Sequence, residues 1–301
     1  MSTQHQPTLT VVLGDYPHTR PLKQGSIRPD GVSCDFVPVA PLYGAFARMV
    51  RRLEFDVCEM ALATYLQARE AGIPVTLLPL VMIGGDHHRS LTRWPGTPAI
   101  RPDQLRGKRV GVRSYGQTTG LWVRGVLQEE HGVDAGDVTW VTTEPSHVAQ
   151  YREPENVERS PGKVSELLRR GDVTAAVLGP RAVEGHDAEL VPVIPDAEAA
   201  GQAWIERHGT IPVNHTVVVR NDTLRAHPDA VSSLYAALRT AIAQTSGERD
   251  QTPRGRVVAA GWSDAFARSL EIAGVYARQQ RLVASAVDVA QIEKEAAGVH
   301  G

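Results

Sequence analysis

The sequence predicts an α/β fold of two lobes, each a mostly parallel sheet flanked by helices, with a cleft between the lobes. Short apolar segments alternate with amphipathic ones from residue 9 onward, a pattern typical of parallel sheets covered on both faces. The alternation restarts near residue 99 and returns to a strand-like segment near residue 209. We therefore expect a discontinuous lobe 1, built from residues 8–98 and 209–301, and a lobe 2 built from residues 99–208.

Composition narrows the class of protein. The 301 residues carry a net charge of -2, and basic residues form no block of the kind that binds nucleic acid. No apolar run is long enough to cross a bilayer. The first residues, MSTQHQPTLTVVLGDY, lack the basic and apolar regions of a secretory signal. We expect a cytoplasmic protein without nucleic-acid or membrane partners, in which Cys34 and Cys58 are isolated thiols.

In the first third of the chain, the hydrophobic pattern alternates between periods of two and about four residues. The predicted strands are residues 9–13, 33–39, 55–60 and 75–81, and the predicted helices are residues 45–52 and 63–71. Two prolines keep the polar loop at residues 14–22 out of regular structure.

The rest of the chain repeats this alternation. The predicted strands are residues 109–112, 138–142, 173–178, 190–194 and 211–220, and the predicted helices are residues 162–170, 201–208, 228–245, 265–281 and 288–297. The last two helices carry apolar stripes that could pack on lobe 1 or on a second subunit, which leaves a homo-oligomer open.

Residues 107–127, GKRVGVRSYGQTTGLWVRGVL, are the stretch around which the chain is organised. They predict a strand, a polar turn and a helix. The N–H groups at the start of a helix have no partner within it, so they form a natural site for a carboxylate. We expect Thr118 or Thr119 to be the N-cap of this helix. The ligand-binding residues expected in this turn are Arg113, Tyr115, Gln117, Thr118 and Thr119.

Two other polar loops also follow strands, at residues 15–20 and 86–93. Ligands of open α/β folds sit beyond the carboxyl ends of the strands, so all three loops could face one cleft. The ligand-binding residues expected in these two loops are Asp15, His18, Thr19, Arg20, His87 and Arg89.

Several segments, in this order, resemble the 4,5-dihydroxyphthalate decarboxylase family, whose members have a type 2 periplasmic-binding-protein-like fold. The segments are YPHTRPLKQG at 16–25, FDVCEMALATYLQAREA at 55–71, LRGKRVGVRSYGQTTGLWVRGVL at 105–127, IPVNHTVVVR at 211–220 and the tail near 276–282. The resemblance implies a carboxy-lyase whose partner is a small aromatic carboxylate substrate.

Decarboxylation of a phenol carboxylate requires a group that holds carboxylate, an acceptor for the phenol and an acid aimed at the ring carbon. We expect Arg89 and the turn at 115–119 to hold carboxylate, His88 or His215 to deliver the proton, and Glu59 or Asp15 to accept the phenol proton. His215 could instead be a hydrogen-bonded core residue. No redox or electron-sink cofactor is required, and the spacing of histidines and carboxylates does not predict a metal.

Two other functions stay open. A non-catalytic solute-binding protein of an ABC-type uptake system would bind a similar ligand without changing it. An enzyme of the same fold could also act on a different substrate. Two further side chains have structural interpretations. Arg124 could reach a carboxylate, but pairing with Glu129 on the helix surface is the interpretation that we favour, and Asp56 would serve as a cap or ion-pair partner.

Overall fold

A computed structural model describes residues 6–178, 189–246 and 257–299. Residues 1–5, 179–188, 247–256 and 300–301, some of which fall within the predicted lobes, lie outside these ranges. The chain folds into two compact units. The first comprises Met1–Gly85, Val213–Ala267 and Asp288–Gly301, and the second comprises Asp86–Pro212 and Arg268–Val287.

Twelve strands occur in the described residues. In chain order they are β1 (Thr8–Val12), β2 (Ser33–Phe36), β3 (Val57–Ala61), β4 (Val75–Gly84), β5 (Leu91–Arg93), β6 (Arg109–Val112), β7 (Thr139–Thr142), β8 (Val157–Arg159), β9 (Ala175–Val177), β10 (Val191–Pro192), β11 (Val213–Arg220) and β12 (Val257–Ala260).

The described residues also contain ten α-helices. They are α1 (Arg20–Lys23), α2 (Tyr43–Arg52), α3 (Leu62–Glu70), α4 (Thr118–His131), α5 (Val164–Arg170), α6 (Ala197–His208), α7 (Asn221–Ala226), α8 (Pro228–Ser246), α9 (Asp264–Gln279) and α10 (Val289–Ala297). None of the helices in the described residues is both long enough and apolar enough to cross a membrane.

The sheet of the first unit has the order β12-β4-β11-β3-β1-β2. β1 runs parallel to β2 and β3, whereas β11 runs antiparallel to both β3 and β4. The late strand β11 is therefore inserted between two early strands. Its valines Val217 and Val219 pack with Val11, Val57 and residues of α8 in the core of this unit.

The second unit has its own sheet, of order β10-β5-β9-β6-β7-β8. Three neighbouring pairs, β9–β6, β6–β7 and β7–β8, are parallel, and the two pairs made by β5 are antiparallel. The two-lobed α/β class is confirmed. Both sheets are mixed: the second is mostly parallel, as predicted, whereas in the first three of the five strand pairs are antiparallel. β5 and β11, which run antiparallel to both of their neighbours, each follow a passage of the chain from the other unit.

The boundaries of the units differ from the predicted ones. Residues 86–98 belong to the second unit because β5 pairs with β9 and β10 in its sheet. Residues 268–287 belong there too, because the Tyr276 ring of α9 packs against Gly125 of α4. The chain consequently passes between the units four times, where the sequence pattern predicted two passages.

Candidate functional site

Glu59 is a buried carboxylate surrounded by three hydrogen-bond donors. Its side chain is 0% exposed. His215 Nδ1 lies 2.6 Å from Oε1, the Tyr16 hydroxyl donates to the same oxygen at 2.9 Å, and the backbone N–H of Gly14 donates to Oε2 at 2.8 Å. In the tautomer that carries its hydrogen on Nδ1, His215 donates this bond to the carboxylate, and Nε2 is the second functional atom of the ring.

The order of strands in the first sheet explains why these residues meet. Across the β3–β11 pair, Val217 lies opposite Glu59 and His215 lies opposite Ala61. Side chains two residues apart on a strand share a face, so Glu59 and His215 are diagonal neighbours on one face. β1 is the other neighbour of β3, and Gly14 lies just beyond its end. Three adjacent strands thus supply the cluster, which we call the Glu59 cluster: Gly14, Tyr16, Glu59 and His215.

Gly14 allows the Tyr16 ring to fold back over the chain. A methyl group on Gly14 would lie 2.2 Å from Cζ of Tyr16, closer than two carbon atoms can approach. With hydrogen at that position, the ring lies against the backbone and its hydroxyl reaches Glu59. Sequence reasoning missed Tyr16, although a glycine two residues before a tyrosine at the end of a strand was a visible signal.

The other predicted residues of this loop shape it. Thr19 is 0% exposed, and its hydroxyl donates to the Gly14 carbonyl at 2.7 Å and accepts from the Tyr16 N–H at 2.9 Å. The His18 ring stacks on Tyr16 with centroids 5.0 Å apart. Asp15 and Arg20 form an exposed ion pair, and the hydrogen bond from Arg20 lowers the pKa of Asp15. Asp15 is therefore a solvated, paired carboxylate rather than a poised base.

Two residues near the Glu59 cluster were not predicted. The edge of the Phe46 ring, on α2, meets the His215 ring with centroids 5.3 Å apart and planes at 85°. Lys23, in α1, donates to the carbonyl of Leu13 at 2.9 Å. Burial lowers the pKa of Lys23, and the nearby charges of Asp15 and Glu59 partly oppose that effect. Lys23 thus places a half-buried cation beside the same strand end.

In the second unit, the predicted strand, turn and helix are confirmed as β6, residues 113–117 and α4. The N-cap is Gln117, not Thr118 or Thr119, and its side chain makes no capping hydrogen bond. Thr118 is buried and Thr119 is half-buried in the first turn of α4. The backbone of Gln117 is extended, so α4 begins at Thr118, two residues earlier than a cap at Thr119 would place its start.

Tyr115 and Arg113 are held by protein groups. Tyr115 is 1% exposed, and its hydroxyl donates to the carbonyl of Gln280 at 3.0 Å. Arg113 forms a 3.1 Å ion pair with Glu144. The predicted surface pair between Arg124 and Glu129 is wrong, since Arg124 is buried and its Nη2 donates to the Tyr115 carbonyl at 2.7 Å. Hydrogen bonds and an ion pair with other residues of the second unit thus hold the polar turn in place.

Residues 87–89 do not join the turn at the start of α4. His88 is 1% exposed, and its Nε2 lies 3.2 Å from Glu130, the thirteenth residue of α4. Twelve residues of helix separate Thr118 from Glu130, a rise of about 18 Å. Arg89 pairs on the surface with Glu198 of α6, and His87 is buried beside His88. The expected carboxylate-holding residue Arg89 therefore does not lie with the turn, because the chain after β4 packs on α6 and the far end of α4.

The two cysteines lie in buried or half-buried positions of the first unit. Burial raises the pKa of the Cys58 thiol well above its usual value and that of Cys34 to about 11, and both thiols are free. A thiol of raised pKa is a poor nucleophile. Within residues 6–178, 189–246 and 257–299, no three His, Cys, Asp or Glu side chains are grouped to hold a metal ion.

Solved structures define the class of fold. The chain has a TM-score of 0.62 and 15% identity to the alkanesulfonate-binding protein SsuA from Xanthomonas axonopodis pv. citri, covering 97% of this chain and 99% of that one. It has a TM-score of 0.57 and 16% identity to a Candida albicans protein of the generic periplasmic-binding-protein fold, covering 97% and 95%. The desulfurization enzyme DszB gives 0.54 and 13%, covering 95% and 96%. The protein therefore has a periplasmic-binding-protein-like fold, found in binding proteins and in an enzyme.

Sequence relatives narrow this class. The chain is 31% identical over 248 residues to 4,5-dihydroxyphthalate decarboxylase from Comamonas testosteroni, covering 76% of this chain and 73% of the relative. It is also 31% identical over 210 residues to the Pseudomonas putida protein of that name, covering 65% and 80%. A comparison with models of protein families finds no match. The chain belongs to the 4,5-dihydroxyphthalate decarboxylase family.

Proposed function

We propose that the protein is a carboxy-lyase that removes one carboxylate from 4,5-dihydroxyphthalate or a close analogue. Membership of the decarboxylase family supports the reaction class. The observation that carries the proposal is the 2.6 Å contact between Glu59 and His215, because it holds the imidazole ring in one orientation and leaves its Nε2 as the atom that can transfer a proton.

The reaction has a simple electron balance. In 4,5-dihydroxyphthalate, each ring carbon that bears a carboxylate has a hydroxyl group para to it, which donates electron density to that carbon. A proton adds to the carbon and forms a new C–H bond. The bond to the carboxylate then breaks, its electron pair returns to the ring, and CO2 leaves. The sum is one carboxylate and one proton converted to one C–H group and CO2, so the balance closes without an oxidant or a reductant.

His215 is the group that we assign as proton donor. Its Nδ1 is held by Glu59, so Nε2 of the imidazolium is the atom that gives the proton to the ring carbon. Its side chain retains 18% exposure, whereas His88 is 1% exposed and bonded to Glu130. A general acid must reach both the substrate and a source of new protons. We therefore assign the catalytic role to His215 and a structural one to His88.

Glu59 has a different role in this proposal from that of the phenol base expected from sequence. Both of its oxygens already accept hydrogen bonds, from Gly14 on one side and from Tyr16 and His215 on the other. Such a carboxylate fixes the orientation of the imidazole and stabilises its protonated form, as a carboxylate paired with a catalytic histidine does elsewhere. Tyr16 holds Glu59 in place by sharing the same oxygen.

The experiment is direct. The purified full chain is incubated with 4,5-dihydroxyphthalate, and CO2 and the ring product are followed by gas measurement and chromatography. Phthalate, which lacks the hydroxyl groups, and 4-hydroxyphthalate, which has one, serve as matched substrates. We expect one CO2 per ring product from the dihydroxy acid, slower release from the monohydroxy acid and none from phthalate. Tight binding of these acids without CO2 release would contradict the proposal and favour a solute-binding protein.

A further inference from the structure

Arg124 is a cation buried in the middle of α4. It is 1% exposed, and its guanidinium carbon lies 4.1 Å from the centre of the Tyr115 ring and 5.1 Å from that of Trp140. Burial lowers the pKa of Arg124, but arginine keeps its charge in folded proteins. The second unit thus contains a full positive charge in its core.

The hydrogen bonds of Arg124 go to neutral groups. Nε donates to the side-chain oxygen of Gln280 at 2.7 Å, and Nη2 donates to the carbonyl of Tyr115 at 2.7 Å. Among the residues that the structure describes, none offers Nη1 a hydrogen bond, and no carboxylate is among the groups that act electrostatically on Arg124. A charge buried without an opposite charge is costly, so a counter-charge is expected when the protein performs its function.

The guanidinium lies at the beginning of α4, although Arg124 is its seventh residue. A long helical side chain leans toward the N-terminus of its helix, and Nη2 reaches the carbonyl of Tyr115, three residues before the helix starts. A methyl group on Gly120, in the first turn, would be 3.1 Å from Nη1. The charge of Arg124 therefore adds to the positive end of the helix dipole. Gln117, the N-cap, leaves its Oε1 buried and without a hydrogen bond among described residues.

A purely structural role for Arg124 accounts for part of this geometry. Gln280 also donates to the carbonyl of Leu121 at 2.8 Å and accepts from Tyr115 through its own carbonyl at 3.0 Å. The network joins the turn, α4 and the end of α9 and would hold the turn rigid. A neutral donor could make the same bonds without the cost of burying a charge, so the rigidity of the turn does not explain the cation.

We propose that the start of α4 binds a carboxylate group of the aromatic acid, and that Arg124 is the buried counter-charge of this carboxylate. Arg124 acts through the turn at residues 114–117 and the first N–H groups of α4, so it is a positioning residue rather than a catalytic one. The inference rests on the proposed function for the identity of the ligand.

The test changes the charge of the side chain at position 280, next to Arg124, and keeps its size nearly constant. Gln280→Glu places a carboxylate on the guanidinium, and Gln280→Met removes the same hydrogen bonds without adding charge. The full chain is titrated with phthalate by calorimetry, with phthalamide as a neutral ligand of the same shape. We expect Gln280→Glu to weaken phthalate binding at least tenfold more than Gln280→Met, with no such difference for phthalamide. Equal effects of the two variants on phthalate would overturn the inference.

Replacement of Arg124 itself gives a second test. Arg124→Lys keeps the charge, and Arg124→Met removes it, so the lysine variant should bind phthalate at least tenfold more tightly than the methionine variant. Equal affinity in these variants, with thermal unfolding showing both folded, would also overturn the inference. A different result would show that the proposed function is wrong while this inference is right. In that case the wild-type protein would bind phthalate in a charge-dependent way but release no CO2 from 4,5-dihydroxyphthalate.

Discussion

Glu59 and His215 are 156 residues apart in the chain, yet Oε1 of the one and Nδ1 of the other are separated by 2.6 Å. Neither residue belongs to a short motif. They meet because β11 inserts beside β3 in antiparallel orientation, with Val217 opposite Glu59. The buried carboxylate of Glu59 is thereby hydrogen-bonded to a histidine whose side chain is still partly exposed to solvent. Most of the predictions about activity depend on this pair.

Replacing His215 with glutamine should abolish catalysis. The amide keeps much of the size of the imidazole but cannot transfer a proton, and a positioned acid contributes about 10²–10⁴-fold to rate. We expect kcat for CO2 release to fall at least 100-fold, with KM changed little and the circular dichroism spectrum unchanged. Activity within tenfold of the wild type would remove His215 from the mechanism.

His88→Gln is the matched control, because it makes the same change in the other candidate histidine. His88 is buried against Glu130, which also pairs with Arg207 at 2.8 Å. We expect the His88 variant to lose stability in thermal unfolding and to keep most of its kcat at a temperature where it is folded. The opposite pattern, an inactive His88 variant and an active His215 variant, would reverse the two assignments.

Gly14→Ala should disturb the Glu59 cluster without touching a charged group. The new methyl group would lie 2.2 Å from Cζ of Tyr16, so the ring must move and its hydroxyl must leave Glu59. Tyr16→Phe removes that hydrogen bond alone. We expect kcat to fall about tenfold in Tyr16→Phe, the effect of about 1.4 kcal/mol, and by more in Gly14→Ala. A fully active Gly14→Ala enzyme would contradict the role given to the Tyr16 hydroxyl.

Asp56 should stabilise the first unit in a pH-dependent way. It accepts bonds from the N–H and hydroxyl of Thr10 at 2.8 and 2.7 Å and from the hydroxyl of Thr223 at 2.7 Å. Burial raises its pKa, but these bonds and Arg220 outweigh burial, so the pKa is lowered. A carboxylate whose pKa is lower in the folded state contributes stability above its unfolded pKa of about 3.9, and that stability is lost as pH falls through the folded pKa.

Asp56→Asn is expected to lower the free energy of unfolding by about 1–3 kcal/mol at pH 7, the cost of weakening bonds to a charged acceptor. In urea denaturation, the difference from wild type should begin to shrink as pH falls below about 3.9, where the unfolded chain takes up the proton, and should disappear as pH falls through the lower folded pKa. Asp222→Asn is the control. The hydrogen bond from Arg220 lowers the pKa of Asp222 to about 2, but the Asp222 side chain is 53% exposed and solvent screens the pair. A larger loss in Asp222→Asn than in Asp56→Asn would refute this account.

Gly125→Ala should destabilise the second unit. A methyl group there would lie 2.0 Å from Cδ2 of Tyr276, whose ring packs with Trp122 at a centroid distance of 5.8 Å. Overpacking of a core costs about 1–3 kcal/mol, and we expect a lower thermal midpoint and a changed near-ultraviolet circular dichroism spectrum. Gly136→Ala is the control, because no described atom lies within 4 Å of the position that its methyl group would occupy. Equal midpoints in the two variants would argue against this packing.

Local patterns in the sequence were sufficient for the class of fold and for most of the elements, although they did not predict the short elements α1, β5, β8, α7 and β12. The strand, turn and helix of residues 109–131 follow from an apolar run, a polar turn and helical periodicity, all of which act within a few residues. Trp122, within the apolar part of this helix, is 1% exposed. The N-cap of α4 is nevertheless Gln117 and not the predicted Thr118 or Thr119, because capping depends on backbone angles that residue type alone does not fix.

Contacts between distant segments were less predictable. Arg124 has the spacing of a surface ion pair with Glu129, but the aromatic rings of Tyr115 and Trp140 and the amide of Gln280 enclose it. Residues 87–89 follow a strand, as residues of a ligand-binding loop often do, but they pack at the far end of α4. No pattern within a short window distinguishes these outcomes, because they are decided by which elements become neighbours.

Residue order was enough to establish an alternating α/β chain, the family to which it belongs and the residue types available for proton transfer. The folded chain was needed to show that His215, rather than His88, is joined to Glu59, and that Tyr16 completes the cluster. The physical reason is that helix and strand periodicity is a local property, whereas the order of strands in a sheet results from burying apolar surface across the whole chain.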